Sequence, residues 1–583
     1  MKDEEDSQAL QNDNRAELAR LVNPFDPRVQ AMSATERLRS LLDVPGIERL
    51  IPTLPIPELF LLIHDVGLDD SVELLRYASP EQWAGFVDLG CWQRDNFTIE
   101  YFTRYHSIAS EAGPLAPRRL IEAIDPELIA LSILRRASVF DAREAPEDIP
   151  DGRARMISPD GLFVLELDEG DPNRLMLGKI LDTIYSADVD RGRQLLQACR
   201  FELPSQLEET AYQFRTARLE ELGFPPLEEA AAIEAPLPRG ARAQLVARVR
   251  AETSAENTST RPFSGTAMSL GPHSPLLLRV LSDLPDGPRR DKLLAALRYL
   301  VNRRMVFRGL DLSDSELITN ETKHVVRTTS LGLLALMADS NAGAEVVLAS
   351  LQLDEIYRLA VTQLAALTRE AGQILDRASA PIGASPFDAA TTEKLEGLSM
   401  RPPRRPVTEE ERRDSSAPDL LVPLATLDEV RAGERLLFEA RTLLSFFEQR
   451  FDWGPERMQA PDLAVLPAET HPMVRFTALL LTGIANVLLD RGRDLAPLEG
   501  ADVADMMDML LEGRGARRID PNFRRRAMDQ LTGIAGGLED REREVISRFL
   551  ATGLDELQAT LGRLPPDAAP DARFLGDVLL LLP

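Results

Sequence analysis

Residues 356–374 read IYRLAVTQLAALTREAGQI. Ile356, Ala360, Leu364, Leu367, Ala371 and Ile374 recur at steps of four and three, which places them on one stripe of a long amphipathic helix. A strand would alternate apolar and polar residues every second position, and this stretch does not. A second stripe follows the same rule at Val430, Leu437, Ala440, Leu444 and Phe447. The stripes also suit a coiled-coil seam between subunits, but too few heptads are sustained, so packing within the chain is expected.

Working outward, the composition agrees with helices. Apolar residues make up 44% of the 583 residues, yet aromatic residues only 5%. Leu and Ala dominate the apolar set, and they favour helices, whereas strands favour β-branched and aromatic residues. Start signals punctuate the chain. Ser79-Pro80-Glu81-Gln82 puts Ser at an N-cap, Pro at the first helical position and Gln where a capping box needs it. Asp70 with Glu73, Ser205 with Glu208, Ser313 with Glu316 and Thr426 with Glu429 repeat the spacing, and Asp125-Pro126-Glu127 is a cap followed by Pro.

One stretch departs from the helical period. Arg155 to Ile157, the turn Ser158-Pro159-Asp160-Gly161, and Leu162 to Leu167 read as strand, turn and strand. Phe163, Leu165 and Leu167 share a strand face, with Val164, Glu166 and Asp168 on the other. An isolated hairpin is marginal in water, so it must pack on helices. The expectation is an all-α protein of stacked, superhelix- or bundle-like units carrying one small β-hairpin near residues 155–167.

Length and composition shifts divide the chain. Residues 1–30 read as a polar tail, 31–150 as an N-terminal helical repeat-like unit, and 151–252 as the hairpin with helices. Residues 253–271 (TSAENTSTRPFSGTAMSLG) read as a linker, 272–377 as a central helical unit, 378–418 as a polar, disordered segment, and 419–583 as a C-terminal helical unit.

Charge and cysteine content exclude several classes. The formal net charge is −27, whereas a nucleic-acid binder needs a concentrated basic surface. The dense basic run, Arg401 to Arg405, falls in the 378–418 segment and reads as a solvated loop, so no nucleic-acid partner is expected. Cys91 and Cys199 form neither a disulfide framework nor a metal spacing. The acidic start MKDEEDSQALQNDNRAE is the reverse of a signal peptide. The best membrane candidate, Met473 to Leu489, is interrupted by Arg475, Thr477, Thr482 and Asn486 and reads as a buried helix. A cytoplasmic location with no membrane span is expected.

No catalytic motif stands out. Gly178-Lys179 lacks both the upstream Gly and the following Ser or Thr of a Walker A loop, and GxGxxG, GxSxG and HExxH do not occur. The five histidines have no helical metal-ligand spacing, and Asp168-Glu169-Gly170-Asp171 lacks the alternating ligands of a calcium loop, so it reads as a solvated loop. No catalytic residue, cofactor or metal is assigned. His64-Asp65 suits a cap or core role better than proton transfer. The segment Trp83 to His106 gathers Trp83, Phe86, Trp92, Phe97, Tyr101, Phe102 and Tyr105 in a chain otherwise short of aromatics. Phe97, Tyr101 and Tyr105 are expected on one helix face, with Arg94, Asp95, Arg104 and His106 among them. Such a cluster is either an aromatic core with its polar tips satisfied locally or a binding surface, since Trp, Tyr and Arg concentrate where binding energy is focused. Trp92, Arg94, Tyr101, Arg104, Tyr105 and His106 are the candidate interaction residues.

Two resemblances follow from particular stretches. Pro57 to Gly90, PELFLLIHDVGLDDSVELLRYASPEQWAGFVDLG, resembles the intracellular N-terminal domain of MgtE-type magnesium transporters at Ile63-His64, Asp69, Leu74-Leu75 and Ser79-Pro80-Glu81. That likeness implies short helices stacked in a superhelix, and neither transport nor a metal site. Leu195 to Pro204 (LLQACRFELP), Arg215 and Arg218-Leu219 with Leu222-Gly223-Phe224, and Thr329 with Leu331-Gly332-Leu333 are similar to a bacterial family, domain of unknown function six-one-seven-eight. That similarity implies a bacterial source and assigns no activity.

The function expected from these residues is a non-enzymatic helical scaffold or adaptor that binds another protein. The alternative is an enzyme or metal-responsive regulator with a carboxylate, Tyr, Arg and His pocket near residues 92–106. The oligomeric state is left open.

Overall fold

A computed structural model describes residues 18, 21–22, 32–143, 154–167, 174–256, 275–285, 287–312, 314–378, 386–414, 420–454, 474–513 and 517–563. Among them are 25 α-helices and three small antiparallel sheets. The chain divides into two compact units. Unit 1 is 1–235 with 239–358, and unit 2 is 236–238 with 359–583.

Unit 1 begins with α1 (Ala34–Leu42), α2 (Ile47–Leu50), α3 (Ile56–Val66), α4 (Val72–Leu75) and α5 (Pro80–Gly90). Ser33 closes a full capping box with Glu36, and Ser79 does so with Gln82. The Gln82 amide goes further, donating to Ile51 O at 2.7 Å and Leu54 O at 3.0 Å. A cap thus satisfies the orphan N–H groups of one helix and the carbonyls of the turn before it. The tetrad at Asp70 and Glu73 instead lies across a 3₁₀ turn, Asp69–Ser71, that has no side-chain cap. Of the expected polar tail, Leu18 and Val22 are buried, so an apolar pair there joins the core.

A hairpin of β1 (Trp92–Gln93) and β2 (Asn96–Phe97) leads into α6 (Ile99–Ala112), α7 (Ala116–Ala123) and α8 (Pro126–Leu134). Phe97 is therefore a strand residue and does not share a helix face with Tyr101 and Tyr105. The expected hairpin at 155–167 is present as β4 (Ala154–Ile157) and β5 (Phe163–Leu167), its turn closed by Gly161 N–H donating to Ser158 O at 2.8 Å. Gly161 has φ +72°, a left-handed conformation that glycine adopts without strain. The hairpin is not alone. β3 (Ala137–Asp141) pairs with the other edge of β5, giving the order β3-β5-β4. All five β5 residues, Glu166 included, are buried, so both faces of the central strand are covered.

Helices α9 (Arg174–Ala187), α10 (Val189–Phe201), α11 (Pro204–Glu221), α12 (Leu227–Ala231) and α13 (Ala241–Glu256) follow. α13 runs into the expected linker; 257–271 lie outside the described residues, as do Asp168 to Asp171. Unit 1 continues with α14 (Leu276–Asp283), α15 (Pro288–Arg308), α16 (Ser315–Ser340) and α17 (Ala344–Ser350). The cap of α16 is Asp314, which accepts from Glu316 N and Leu317 N. Ser313 lies outside the described residues, and Ser205 is no cap: α11 starts at Pro204 after Leu203.

The boundary of the units falls within α18 (Leu353–Ala378). Ile356, Ala360, Leu364, Leu367, Ala371 and Ile374 are all buried along it, as the stripe requires. A β-carbon at Gly332 of α16 would lie 2.0 Å from Ile356 O, so only glycine permits that approach.

In unit 2 the described part of the segment expected to be disordered, 378 and 386–414, carries structure: α19 (Ala389–Ser399), β6 (Arg404–Pro406) and α20 (Glu409–Asp414), with β6 paired to β7 (Leu421–Pro423), while 379–385 and 415–418 lie outside the described residues. Charge pairing accounts for it. Arg405, in the basic run read as a solvated loop, binds Glu411 through Nη1 at 2.7 Å and Nη2 at 2.6 Å, and binds Glu429 through Nε. The Arg405 hydrogen bonds pull the Glu411 carboxyl down to about 2. Composition alone does not reveal that these charges meet. Then come α21 (Leu427–Phe451), α22 (Phe476–Leu488), α23 (Gly500–Leu510), α24 (Pro521–Ile534) and α25 (Asp540–Arg563). Thr426 closes its expected capping box with Glu429. The second stripe is buried at each position, and its Phe447 stacks on Phe476 with centroids 4.4 Å apart. No single described helix is long and apolar enough to cross a membrane; α16 and α17 reach that length only as a pair bent by 102°.

Candidate functional site

The aromatic segment 83–106 forms the interior of unit 1. Trp83, Phe86 and Phe102 are fully buried, and Trp92, Phe97, Tyr105 and His106 nearly so. The six candidate interaction residues separate. Trp92 is buried against Phe97 (5.5 Å between centroids) with the Arg215 guanidinium 5.1 Å from its ring. Tyr105 Oη meets His64 Nε2 at 2.7 Å, and a β-carbon at Gly90 would lie 2.6 Å from that hydroxyl. His106 Nδ1 lies 3.0 Å from Met176 Sδ, and its buried Nε2 has no partner among the described residues. Arg94 has φ +59° in the β1–β2 turn and is exposed. Tyr101 is exposed, as is Arg104, which pairs with Asp69 at 3.1 Å. The six residues therefore do not make one surface: Trp92, Tyr105 and His106 serve the core, because their apolar bodies gain more from burial than from solvent. Burial pushes both His64 and His106 down to about 4, so the two rings are neutral near pH 7.

What organises this interior is α11. Glu208, Ala211, Arg215 and Arg218 follow steps of three and four, so they share one face. Arg218 donates to Asp88 at 2.7 and 2.9 Å and to Asp125 at 3.0 and 2.7 Å. The Asp88 side chain is only 2% exposed. Burial opposes the charge on Arg218, but its hydrogen bonds to Asp88 and Asp125 outweigh that and raise its pKa. Asp125, read as a plain cap, thus spends its carboxylate on this ion pair and makes no cap bond. Arg215 donates to the carbonyls of Asp88 (2.8 Å) and Arg94 (3.3 Å), and Glu208 accepts from Phe97 N (3.0 Å) and Arg135 Nη2 (2.6 Å). These charges clamp the β1–β2 hairpin to α11. They are saturated by one another.

A separate feature of unit 1 escaped the sequence entirely: a cavity of about 1070 Å³ lined from α3, α15 and α16. Leu62, Val301, Met305, Ile318 and Val326 form its buried apolar wall. Two ion pairs, Arg37 with Asp65 and Arg298 with Glu58, stand at its polar side together with Lys323. Each pair joins positions 28 or 240 residues apart, so no local spacing announces it. Among the described residues, no cluster of three or more His, Cys, Asp and Glu is placed to hold a metal ion.

No curated protein matches the chain, and no solved structure does. The likeness of Pro57 to Gly90 to the MgtE-type transporter domain finds no support in these comparisons. A family model matches residues 15–581. It includes every stretch that carried the second resemblance, and Arg215 and Arg218 of that signature are the residues that hold the α11 clamp. The chain belongs to that family, described as a family of unknown function (DUF6178).

Proposed function

We propose that the chain is a non-enzymatic, cytoplasmic helical scaffold or adaptor that binds another protein. The observation that supports this reading is the distribution of exposed apolar side chains. Half of the exposed large apolar residues among the described ones fall between Ile157 and Leu227, where Leu175 (82%), Phe201 (70%) and Ile157 (65%) stand furthest out and Leu203 is 60% exposed. Exposed apolar side chains concentrated in one stretch of the chain are suited to burial against a partner. The reactive groups nearest to it in kind, His64, His106 and Asp88, are committed to internal contacts, which favours docking over turnover at residues 92–106.

The test is capture of partners by the full chain under cross-linking, read by mass spectrometry, beside the Phe201→Ser/Leu203→Ser variant. These two side chains are exposed, so the variant keeps its helical circular dichroism. Cross-links mapping to 157–227 and lost in the variant are expected. Cross-links confined to other surfaces, or an undiminished set in the variant, would overturn the reading.

A further inference from the structure

We propose that the unit 1 cavity binds a small molecule with an apolar body and a single carboxylate end. This goes beyond the adaptor reading and does not depend on it. The volume, about 1070 Å³, is at the upper end of small-ligand sites, which are concave, mostly apolar and equipped with a few convergent polar groups. The wall of Leu62, Val301, Met305, Ile318 and Val326 supplies the apolar part.

The polar side selects the sign of the ligand. Arg37 holds Asp65 through Nη2 alone, and Arg298 holds Glu58 through Nη1 alone. A guanidinium carries five N–H donors and commonly grips a carboxylate with two, so each cation keeps donors to spare. Both Nε atoms are buried and lack an acceptor among the described residues. Lys323, exposed at the same cavity, has no partner among the described residues. Arg37, Arg298, Lys323 and Arg327 line the cavity together with the carboxylates Glu58, Asp65 and Glu221, and Glu58 and Asp65 are already engaged, so cations outnumber carboxylates here in a chain of net charge −27. That overall charge disfavours a polyanion such as a nucleotide by long-range repulsion. A monocarboxylate meets the local donors with the least of it.

The test is isothermal titration of the full chain with dodecanoate, dodecanol and dodecyltrimethylammonium, each below its micelle threshold. Dodecanoate is expected to bind about tenfold more tightly than dodecanol, and the ammonium analogue more weakly still. Lys323→Glu, which orphans no partner, is expected to weaken dodecanoate about tenfold and to leave dodecanol unchanged. Ala295→Trp, at an exposed lining position, is expected to abolish both. A measurable shift in dodecanol affinity with Lys323→Glu, equal affinity for the three amphiphiles, dodecanoate binding that survives Ala295→Trp, or no heat with dodecanoate at millimolar concentration overturns the proposal. Loss of partner cross-links leaves this result untouched, so the two readings fail separately.

Discussion

Unit 1 carries guanidinium groups as well as rings into its interior, while the interior of unit 2 is built chiefly on rings. In unit 1, Arg218 reaches Asp88 and Asp125, and Arg304 reaches Glu234 at 2.6 Å and Glu321 at 3.0 Å with its side chain 10% exposed. In unit 2, Phe476 is met by Phe447, by Trp453 at 5.0 Å and by Phe387 at 5.2 Å. Rings gain by area removed from water and tolerate one another in many arrangements. Buried ions gain only if every partner is in place, and an abandoned partner is worse than none. Unit 1 should therefore be brittle to single changes and responsive to pH, whereas unit 2 should respond mainly to lost volume.

The largest effect expected is that of Arg218→Ala. It leaves Asp88 buried and unpaired, at a cost of about 3–5 kcal/mol. Denaturant titration of the full chain, with a probe in each unit, measures it. Arg218→Ala combined with Asp88→Ala should recover a substantial part of the loss, because no lone charge remains. Phe447→Ala in unit 2 costs a similar amount by leaving a cavity, yet no second substitution of a charged residue repairs it. If Arg218→Ala costs less than about 1 kcal/mol, the contrast between the units is wrong.

The response to acid is next. His106 is neutral in the folded protein down to about pH 4, while the same ring in the unfolded chain takes up a proton near 6.5. Between those values the unfolded state holds the extra proton, so stability is complete above pH 6.5 and falls as the pH drops toward 4. The loss reaches about 2 kcal/mol at pH 5 for this residue. His64 moves in the same direction to about 4 and His324 to about 3, in both cases chiefly through burial. All the described histidines belong to unit 1. Unfolding at pH 7 and pH 5 should show a unit 1 transition that weakens, and a slope that flattens in His106→Leu. An unchanged slope in that variant would remove the histidine explanation.

These two predictions rest on features of unequal visibility in the sequence. The helices were legible because stripes and caps are local: the 356–374 and 430–447 faces are buried at every named position, and Ser79 and Thr426 cap as spaced. Asp125 and Glu208 carry the same local signals, yet tertiary partners claimed their carboxylates. β3 was not legible, since Ala137 begins two residues after α8 and only Val139 and Phe140 favour a strand. The clamp and the cavity were beyond reach for a different reason. Asp88 and Arg218 are 130 positions apart, and no spacing rule spans such a loop.

The smallest expected effect uses what the two units share. Ser79 in unit 1 and Thr426 in unit 2 each accept from the third helical N–H, at 3.2 Å in both cases. Replacing either by Ala should cost about 1 kcal/mol, the ordinary value of a cap. The two differ in what the third residue does besides. Gln82 also holds two carbonyls inside unit 1, whereas Glu429 also holds Arg405 of β6. Loss of the Ser79 hydroxyl leaves the Gln82 amide bonds in place, and loss of the Thr426 hydroxyl loosens the first turn that holds Glu429 against Arg405. Equal shifts of the denaturation midpoint with unchanged slope mean that the caps act alone. A larger shift for Thr426→Ala, suppressed by salt, means that the cap also positions Glu429 for the ion pair that orders 404–423.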